Sequence, residues 1–325
     1  MTFLRQALLG GIFATVAFTQ NAEKTFYFTH VDSPAALQDI TNVMRSTGDI
    51  RDVTPDSAKH AINVKGNEEQ LAMAAWLTAG LDNPRTAPGF SEKAFSDPHA
   101  PLAQIYYLRY VATPQEMQEV INAVRSLADM QRVFPVMAVK AIVMRGNPAQ
   151  IKATDWLLGH LDQPAGADPV AAEDYPLTEP EWVPRSGTQV LRVAPLNRAN
   201  TPQAVQELVN CTRAVSDLQR LYPIPSRRVV TMRGPEEQIA MAKWIIQQLD
   251  GPQGSGTRET KAGSSEVVQV TYLAPGDKLQ LSQTVSSIQR ATNMQRVIPF
   301  STQNAVVMRG TPTQVAQAAA AIHGN

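Results

Sequence analysis

The sequence contains little of what disulfide-bonded, metal-binding or nucleic-acid-binding proteins need. It has one cysteine, Cys211, so neither an internal disulfide nor a pair of thiolate metal ligands can form. Lys and Arg total 29, and Asp and Glu total 29, which makes the formal net charge zero. This balance argues against nucleic-acid binding, which relies on a basic surface, and against a polybasic membrane-surface protein. The hydrophobic share of 43% is that of an ordinary globular chain.

The amino terminus has the order of a secretory leader. Arg5 precedes an apolar run from Ala7 to Phe18, which is too short to cross a bilayer as a helix, since that takes about 20 residues. We therefore predict that residues 1–22 form a signal peptide, cleaved after Thr19 or after Ala22. The alternative is a buried N-terminal helix. No later stretch reaches membrane-spanning length, so the mature chain is expected to be periplasmic, with no membrane span.

The dominant feature of the chain is a fourfold internal repeat. Each copy has a glycine at the end of its last predicted strand and a proline 11 residues earlier, at Pro55 and Gly66, Pro135 and Gly146, Pro223 and Gly234, and Pro299 and Gly310. The sequence Leu-Asp-x-Pro closes the first three copies, beginning at Leu81, Leu161 and Leu249. Several landmarks in one register do not recur four times by chance, so the sequence predicts tandem modules.

The second copy shows the order of elements within one module. Ile105 to Val111 is rich in residues that favour strands. Thr113 to Glu116 follows with the pattern of a capping box and starts a helix. Two short strands, Gln131 to Val136 and Lys140 to Arg145, come next, and a second helix runs to Leu161. The predicted fold class is α+β: four small β-α-β-β-α units, each with two helices on one face of a three-stranded sheet.

Stretches rich in proline, glycine and acidic residues separate the copies and are predicted to be linkers. The Arg132, Arg220 and Arg296 side chains before the repeat prolines are expected to be solvated charges at strand edges; the alternative is a weak basic stripe. The predicted boundaries are residues 1–22 for the signal peptide, 23–84, 104–164, 188–252 and 265–325 for the four repeats, and 85–103, 165–187 and 253–264 for the linkers.

Three tryptophans recur ten residues after the repeat glycine, at Trp76, Trp156 and Trp244. At 100° per residue, Trp156 lies nearly opposite the apolar arc of the second helix. A large aromatic side chain on an outer helical face predicts an interaction surface, because tryptophan is favoured at interface centres. The alternatives are packing beneath a linker or inside the module, contact with a neighbouring repeat, and contact with another polypeptide.

The repeat resembles the N-terminal domains of bacterial secretins. The resemblance is clearest in the strand and turn from Asn304 to Pro312 and in the closing helix from Ile239 to Asp250, and it covers Phe26 to Ile322 apart from the linkers. In that family such repeats build a periplasmic ring below an outer-membrane pore. No alternating barrel strands follow the fourth repeat here, so the chain is not expected to form the pore itself. The family's repeats carry no catalytic residues, so the resemblance assigns none.

Side chains that could support catalysis are scattered. The five histidines show no metal-ligand spacing, and no base stands beside Cys211 in the sequence. The Arg-Gly turns lack the remaining residues of a phosphate-binding loop. We therefore expect a non-enzymatic protein without cofactor or metal, which binds protein: a secretion or pilus component, or further copies of itself. The alternative is a periplasmic adaptor or sensor for a single protein, peptide or glycan.

Overall fold

The computed structural model describes residues 21–82, 89–164, 172–178, 189–274 and 278–323. The chain divides into two units, Met1–Asn83 and Pro84–Asn325, and each is considered by itself. The described residues form four antiparallel sheets and eight helices, which confirms the predicted α+β class with tandem small modules. The predicted signal peptide lies outside the described residues except for its last two positions. None of the described helices is both long and apolar enough to cross a membrane.

The first unit contains repeat 1, and its sheet has the three strands that the sequence predicts. The strand order is β1-β3-β2, with both pairs antiparallel. Its elements are β1 (Ala22–Tyr27), α1 (Pro34–Thr47), β2 (Asp52–Asp56), β3 (Ala61–Gly66) and α2 (Glu68–Leu81).

The second unit contains repeats 2, 3 and 4, each built on the same plan. Repeat 2 consists of β4 (Gly89–Ala94), β5 (Leu102–Tyr107), α3 (Pro114–Leu127), β6 (Arg132–Val136), β7 (Ala141–Gly146) and α4 (Pro148–Leu161). Repeat 3 consists of β8 (Glu173–Leu177), β9 (Gln189–Pro195), α5 (Pro202–Ser216), β10 (Arg220–Ile224), β11 (Val229–Pro235) and α6 (Glu236–Leu249). Repeat 4 consists of β12 (Thr257–Ala262), β13 (Glu266–Tyr272), α7 (Lys278–Thr292), β14 (Arg296–Phe300), β15 (Ala305–Gly310) and α8 (Pro312–His323).

The segments predicted as linkers each contribute a fourth strand, which the sequence analysis missed. β4, β8 and β12 pair antiparallel with the first strand of the following repeat, at the edge of its sheet. The sheets of repeats 2 to 4 therefore have four strands rather than three. An edge strand has one neighbour only and tolerates proline and charge, as Pro176 in β8 shows. The amino-acid composition of such an edge strand is therefore similar to that of a linker, which is why these three strands were predicted as linkers.

The helix starts follow the predicted capping rules. Ser33, Thr113 and Thr201 each accept a hydrogen bond from a backbone N–H of the first helical turn, and a proline follows each of them. Asn67 and Asn147 form capping boxes with a glutamine three residues later at the start of the second helix. These bonds satisfy N–H groups that have no partner inside the helix.

The repeat glycines lie where the end of the third strand packs closely against side chains. A Cβ atom at Gly66 or Gly146 would stand 2.7 or 2.6 Å from the amide oxygen of the glutamine in the following capping box. At Gly234 and Gly310 it would stand 2.3 Å from Leu218 and 2.8 Å from a methionine methyl. A larger residue at any of the four positions would therefore displace the end of one of these side chains. The helix that follows is capped by a side chain after Gly66, Gly146 and Gly310, whereas α6 after Gly234 has Pro235 at its N-cap position and no side-chain cap.

Candidate interaction surfaces

The aspartate of the Leu-Asp-x-Pro motif ties each module together. The Asp162 carboxylate, just after α4, accepts hydrogen bonds from the backbone N–H groups of Arg109, Tyr110 and Val111, at 2.7, 2.7 and 3.2 Å. Asp82 and Asp250 hold the matching loops of repeats 1 and 3 in the same way. The motif therefore closes the loop between the first strand and first helix, which explains its recurrence without a chemical role.

Within the second unit, the sheet of each following repeat packs on the helices of the preceding one. Leu191 and Val193 of β9 and Val229 of β11 are buried in the same apolar cluster as the core of repeat 2. One repeat later, Val268, Val270 and Val307 share a cluster with the core of repeat 3. Three further residues of repeat 4 belong to the same cluster: Tyr272, Phe300 and Ala305. Sheets in repeats 3 and 4 thus bury apolar side chains on both faces, and the three repeats form one stack.

An aspartate after the first helix forms an ion-pair cluster at the first of these interfaces. Asp129 Oδ1 and Oδ2 accept hydrogen bonds from Nη1 of Arg220 and Nη1 of Arg233, both at 2.7 Å. The same arginine nitrogens also donate to the carbonyls of Ser126 and Leu127 at the end of α3. Burial lowers the pKa of the Arg233 guanidinium, while its hydrogen bond to Asp129 opposes that shift.

The second interface repeats this cluster with one addition. Asp217 accepts hydrogen bonds from Arg296 at 3.1 Å and from Arg309 at 2.8 Å, and Arg309 also donates to the Val215 carbonyl. Arg309 has a second carboxylate partner, Glu266, at 2.7 Å. Arg220 and Arg296 lie on edge strands as expected and are 41% and 37% exposed, but each also pairs with an aspartate of the preceding repeat, which the sequence did not indicate.

A second polar contact recurs on the same helices. The Glu119 carboxylate accepts a hydrogen bond from the Ser226 hydroxyl at 2.7 Å, and the Glu207 carboxylate accepts one from the Thr302 hydroxyl at 3.2 Å. Each glutamate lies on a first helix, and each hydroxyl lies in the hairpin of the following repeat. The two interfaces therefore share both the aspartate–arginine cluster and this glutamate–hydroxyl contact.

The first helix of repeat 4 has different residues at these positions. Gln283 stands where Glu119 and Glu207 stand in the earlier repeats, and Asn293 stands where Asp129 and Asp217 do. Both residues are exposed, and Asn293 has the same left-handed backbone, with φ of 52°. The face of α7 that corresponds to the stacking face is therefore polar.

The predicted surface tryptophans are half-buried in the structure. The Trp156 ring lies 4.2 Å from the His160 ring and 5.4 Å from the Tyr175 ring, measured between centroids. Tyr175 belongs to β8, so packing beneath the linker segment, one of the alternatives, describes Trp156. Trp244 packs against the cluster that repeats 3 and 4 share, and Trp76 is also half-buried. A role of these tryptophans in partner binding stays a prediction.

A half-buried acid in repeat 2, Asp155, has a raised pKa. Burial raises the pKa of the Asp155 carboxyl to about 6, a hydrogen bond from Gln104 opposes the shift, and the charge of Glu92 adds to it. The Gln104 side chain is fully buried and donates from Nε2 to Asp155 at 2.8 Å. Burial, with smaller effects from the charges of Asp162 and Asp155, raises the pKa of the nearby Tyr106 hydroxyl.

The single thiol is shielded from chemistry. Cys211 lies on α5 with 1% of its surface exposed, and its sulfur points to the Pro299 carbonyl of repeat 4 at 3.9 Å. Burial, with a smaller effect from Glu207, raises the pKa of the thiol to about 12. The described residues contain no group of three His, Cys, Asp or Glu side chains that could hold a metal ion.

No protein-family model and no curated protein matches this chain. Among solved structures, it is similar to a chain of the ETEC pilotin–secretin AspS–GspD complex, with 14% identity and a TM-score of 0.18 over 94% of this chain and 55% of that chain. It is also similar to Aeromonas hydrophila ExeD, with 12% identity and a TM-score of 0.17 over 78% of this chain and 44% of that chain. The chain thus spans about half the length of these proteins. These values are too low to transfer any property from them.

Proposed function

We propose that this chain is a non-enzymatic, exported scaffold that binds protein in the cell envelope, as an accessory to a secretion or pilus system or as a ring-forming part of one. The observation that carries the proposal is the repeated interface within the second unit. Two aspartates, four arginines and both faces of two sheets are used to hold repeats together. Such a chain holds surfaces at fixed spacing, which is what a scaffold does.

The distribution of ionisable groups supports the same proposal. Asp162 and Asp250 hold backbone N–H groups, and Asp129 and Asp217 pair with arginines of the next repeat. A catalytic site needs such groups to converge where a substrate can reach them. The predicted leader supports export, and the periplasm is the compartment that we propose.

The second candidate is a periplasmic adaptor or sensor for a single protein, peptide or glycan. The polar face of α7 favours it, because Gln283 and Asn293 stand there in place of the acidic residues that contact the next repeat at the internal interfaces.

Deletion of the gene in its native host tests the scaffold proposal. The expected result is a loss of secreted protein or surface pili, restored by the wild-type chain and not by a chain that lacks the second unit. Unchanged secretion and piliation would contradict the proposal. Mass photometry of the exported chain separates the two candidates, since a ring predicts a large closed oligomer and an adaptor predicts one or a few chains.

A further inference from the structure

Strands β1, β5, β9 and β13 hold equivalent positions in the four repeats. Among the described residues, β1 alone of these strands has no neighbour along its outer edge. In repeats 2, 3 and 4 the matching edge is covered by β4, β8 and β12, each antiparallel to the strand that it covers. In repeat 1 the sheet order is β1-β3-β2, so β1 has β3 on one side only. An uncovered edge carries a row of backbone donors and acceptors.

The direction of these backbone groups follows from the register of the sheet. Phe28 N–H donates to the His60 carbonyl at 2.8 Å, and alternate residues of an antiparallel strand point the same way. Lys24 and Phe26 therefore point their backbone groups at β3, and Glu23, Thr25 and Tyr27 point theirs at the open edge. In repeat 4, Tyr272 occupies the position of Tyr27, and its N–H donates to the Gly256 carbonyl beside β12 at 2.9 Å. The edge of β1 thus matches one that accepts a strand elsewhere in this chain.

The side chains of β1 suit a second copy of the same strand. With Thr25 opposite Thr25 of the second copy, Glu23 stands opposite Tyr27 and Lys24 stands opposite Phe26. This register pairs all three outward-pointing residues and places no like charges opposite each other. The Tyr27 side chain is 65% exposed, and in this register its hydroxyl could donate a hydrogen bond to the Glu23 carboxylate of the second copy. A register shifted by one residue toward the amino terminus would instead place Lys24 opposite Lys24.

We infer that β1 is an interaction surface for a second copy of this chain, which joins two three-stranded sheets into one six-stranded antiparallel sheet. The two-fold axis lies perpendicular to the sheet at Thr25. Both possible cleavage sites of the predicted leader leave Glu23 to Tyr27 in the mature chain. The inference deepens the proposed scaffold role by naming one partner, and it rests on the edge of β1 rather than on any envelope component.

Cysteine cross-linking of the processed full chain tests this register. Thr25→Cys places two thiols opposite each other at about 5.5 Å between Cα atoms, a separation that a disulfide spans. The matched control is Thr54→Cys, an exposed residue on β2 at the other edge of the same sheet. Cys211 is buried and does not interfere. We expect oxidised Thr25→Cys to run as a dimer in about fivefold or greater excess over Thr54→Cys.

A second variant separates edge pairing from other modes of association. Thr25→Pro removes an N–H that points away from β3, so the chain is expected to keep its circular dichroism spectrum. Its mass should fall from that of a dimer to that of one chain, which is 35.4 kDa at full length and slightly less after leader cleavage. Equal cross-linking of both cysteine variants, or a dimer that survives Thr25→Pro, would overturn the inference. So would a monomeric wild-type chain whose Thr25 amide is protected from hydrogen exchange, because another part of the same chain would then cover the edge. A dimer without any secretion phenotype would remove only the proposed function.

Discussion

The ion-pair clusters at the two interfaces provide a matched pair of perturbations. Asp129→Asn removes the negative charge that faces Arg220 and Arg233, and Asp217→Asn does the same for Arg296 and Arg309 in the next interface. Asparagine tolerates the left-handed backbone at these sites, with φ of 49° and 59°, as Asn293 does in repeat 4. The substitution therefore changes charge without adding backbone strain.

The structure predicts unequal costs for the two substitutions. Arg233 is 6% exposed and pairs with Asp129 across the interface, so Asp129→Asn is expected to cost about 2 kcal/mol. This lies below the full cost of breaking a buried pair because Asp129 is itself 39% exposed. Arg309 keeps Glu266 when Asp217 is changed, so Asp217→Asn is expected to cost about 1 kcal/mol.

Native-state hydrogen exchange measures both costs. The amides of β10 and β11 report on the first interface, and those of β14 and β15 report on the second. Exchange is preferred to a single unfolding midpoint because stacked repeats need not unfold together. The control is Asn293→Asp, which places the charge at the exposed equivalent position and is expected to change the free energy of opening by about 0 to 0.5 kcal/mol. If Asp217→Asn costs as much as Asp129→Asn, or if neither substitution lowers the free energy of opening of its interface, the proposed role of the buried arginine is wrong.

Three further predictions concern single side chains of the second unit. In the folded chain the pKa of Asp155 is about 6, above its ordinary value of 3.8. The stabilising contribution of the protonated carboxyl is therefore complete below about pH 4 and is lost as pH rises through 6. Measured by urea unfolding, Asp155→Asn should be about 1–2 kcal/mol more stable than wild type at pH 8, after allowance for partial exposure, and equally stable at pH 4. A larger gain at pH 4 than at pH 8 would reverse the assignment. Cys211 should resist a thiol reagent in the folded chain and react fully in denaturant, since its thiol is buried and its pKa is raised to about 12; fast labelling of the folded chain would show that the second interface opens. Trp156→Ser should speed amide exchange in β8, whose Tyr175 packs on the indole, at a cost of about 1–2 kcal/mol, while Trp76→Ser, in the other unit, should leave β8 unchanged; equal exchange in both variants would show that β8 is held by its pairing with β9 alone.

The module could be predicted from the sequence because its signals are local. Thr113 with Glu116 specifies a helix start, and the spacing from Pro135 to Gly146 fixes a hairpin that leads into the second helix. Both are backbone requirements that few other residues meet. The structure bears out each of these elements, with α3 beginning at Pro114 and β7 ending at Gly146. The three-stranded core sheet followed from the same signals.

The packing between modules could not be predicted because its signals lie far apart in the sequence. Asp129 meets Arg220 and Arg233 only after a whole repeat intervenes, and in a linear reading each is an ordinary surface charge. The alternation of β9 was also ambiguous, since a strand buried on both faces has no polar side to mark it. One clue was present: the recurrence of an arginine both before the proline and before the glycine, at Arg220 and Arg233 and again at Arg296 and Arg309.

The positions that build the internal interfaces carry polar residues on the sheet of repeat 1 and on α7. Repeats 3 and 4 present apolar residues on the outer face of the sheet, such as Val193 and Val270, and these are buried by the repeat before them. In repeat 1 the matching residue is Thr25, whose hydroxyl donates to Asn63 on the neighbouring strand. On α7, Gln283 and Asn293 are exposed. Polar faces of this kind do not favour the stacking of another repeat. Among the described residues, β1 of repeat 1 has an uncovered edge, which is why we infer that a strand of a second copy, rather than a stacked repeat, pairs there.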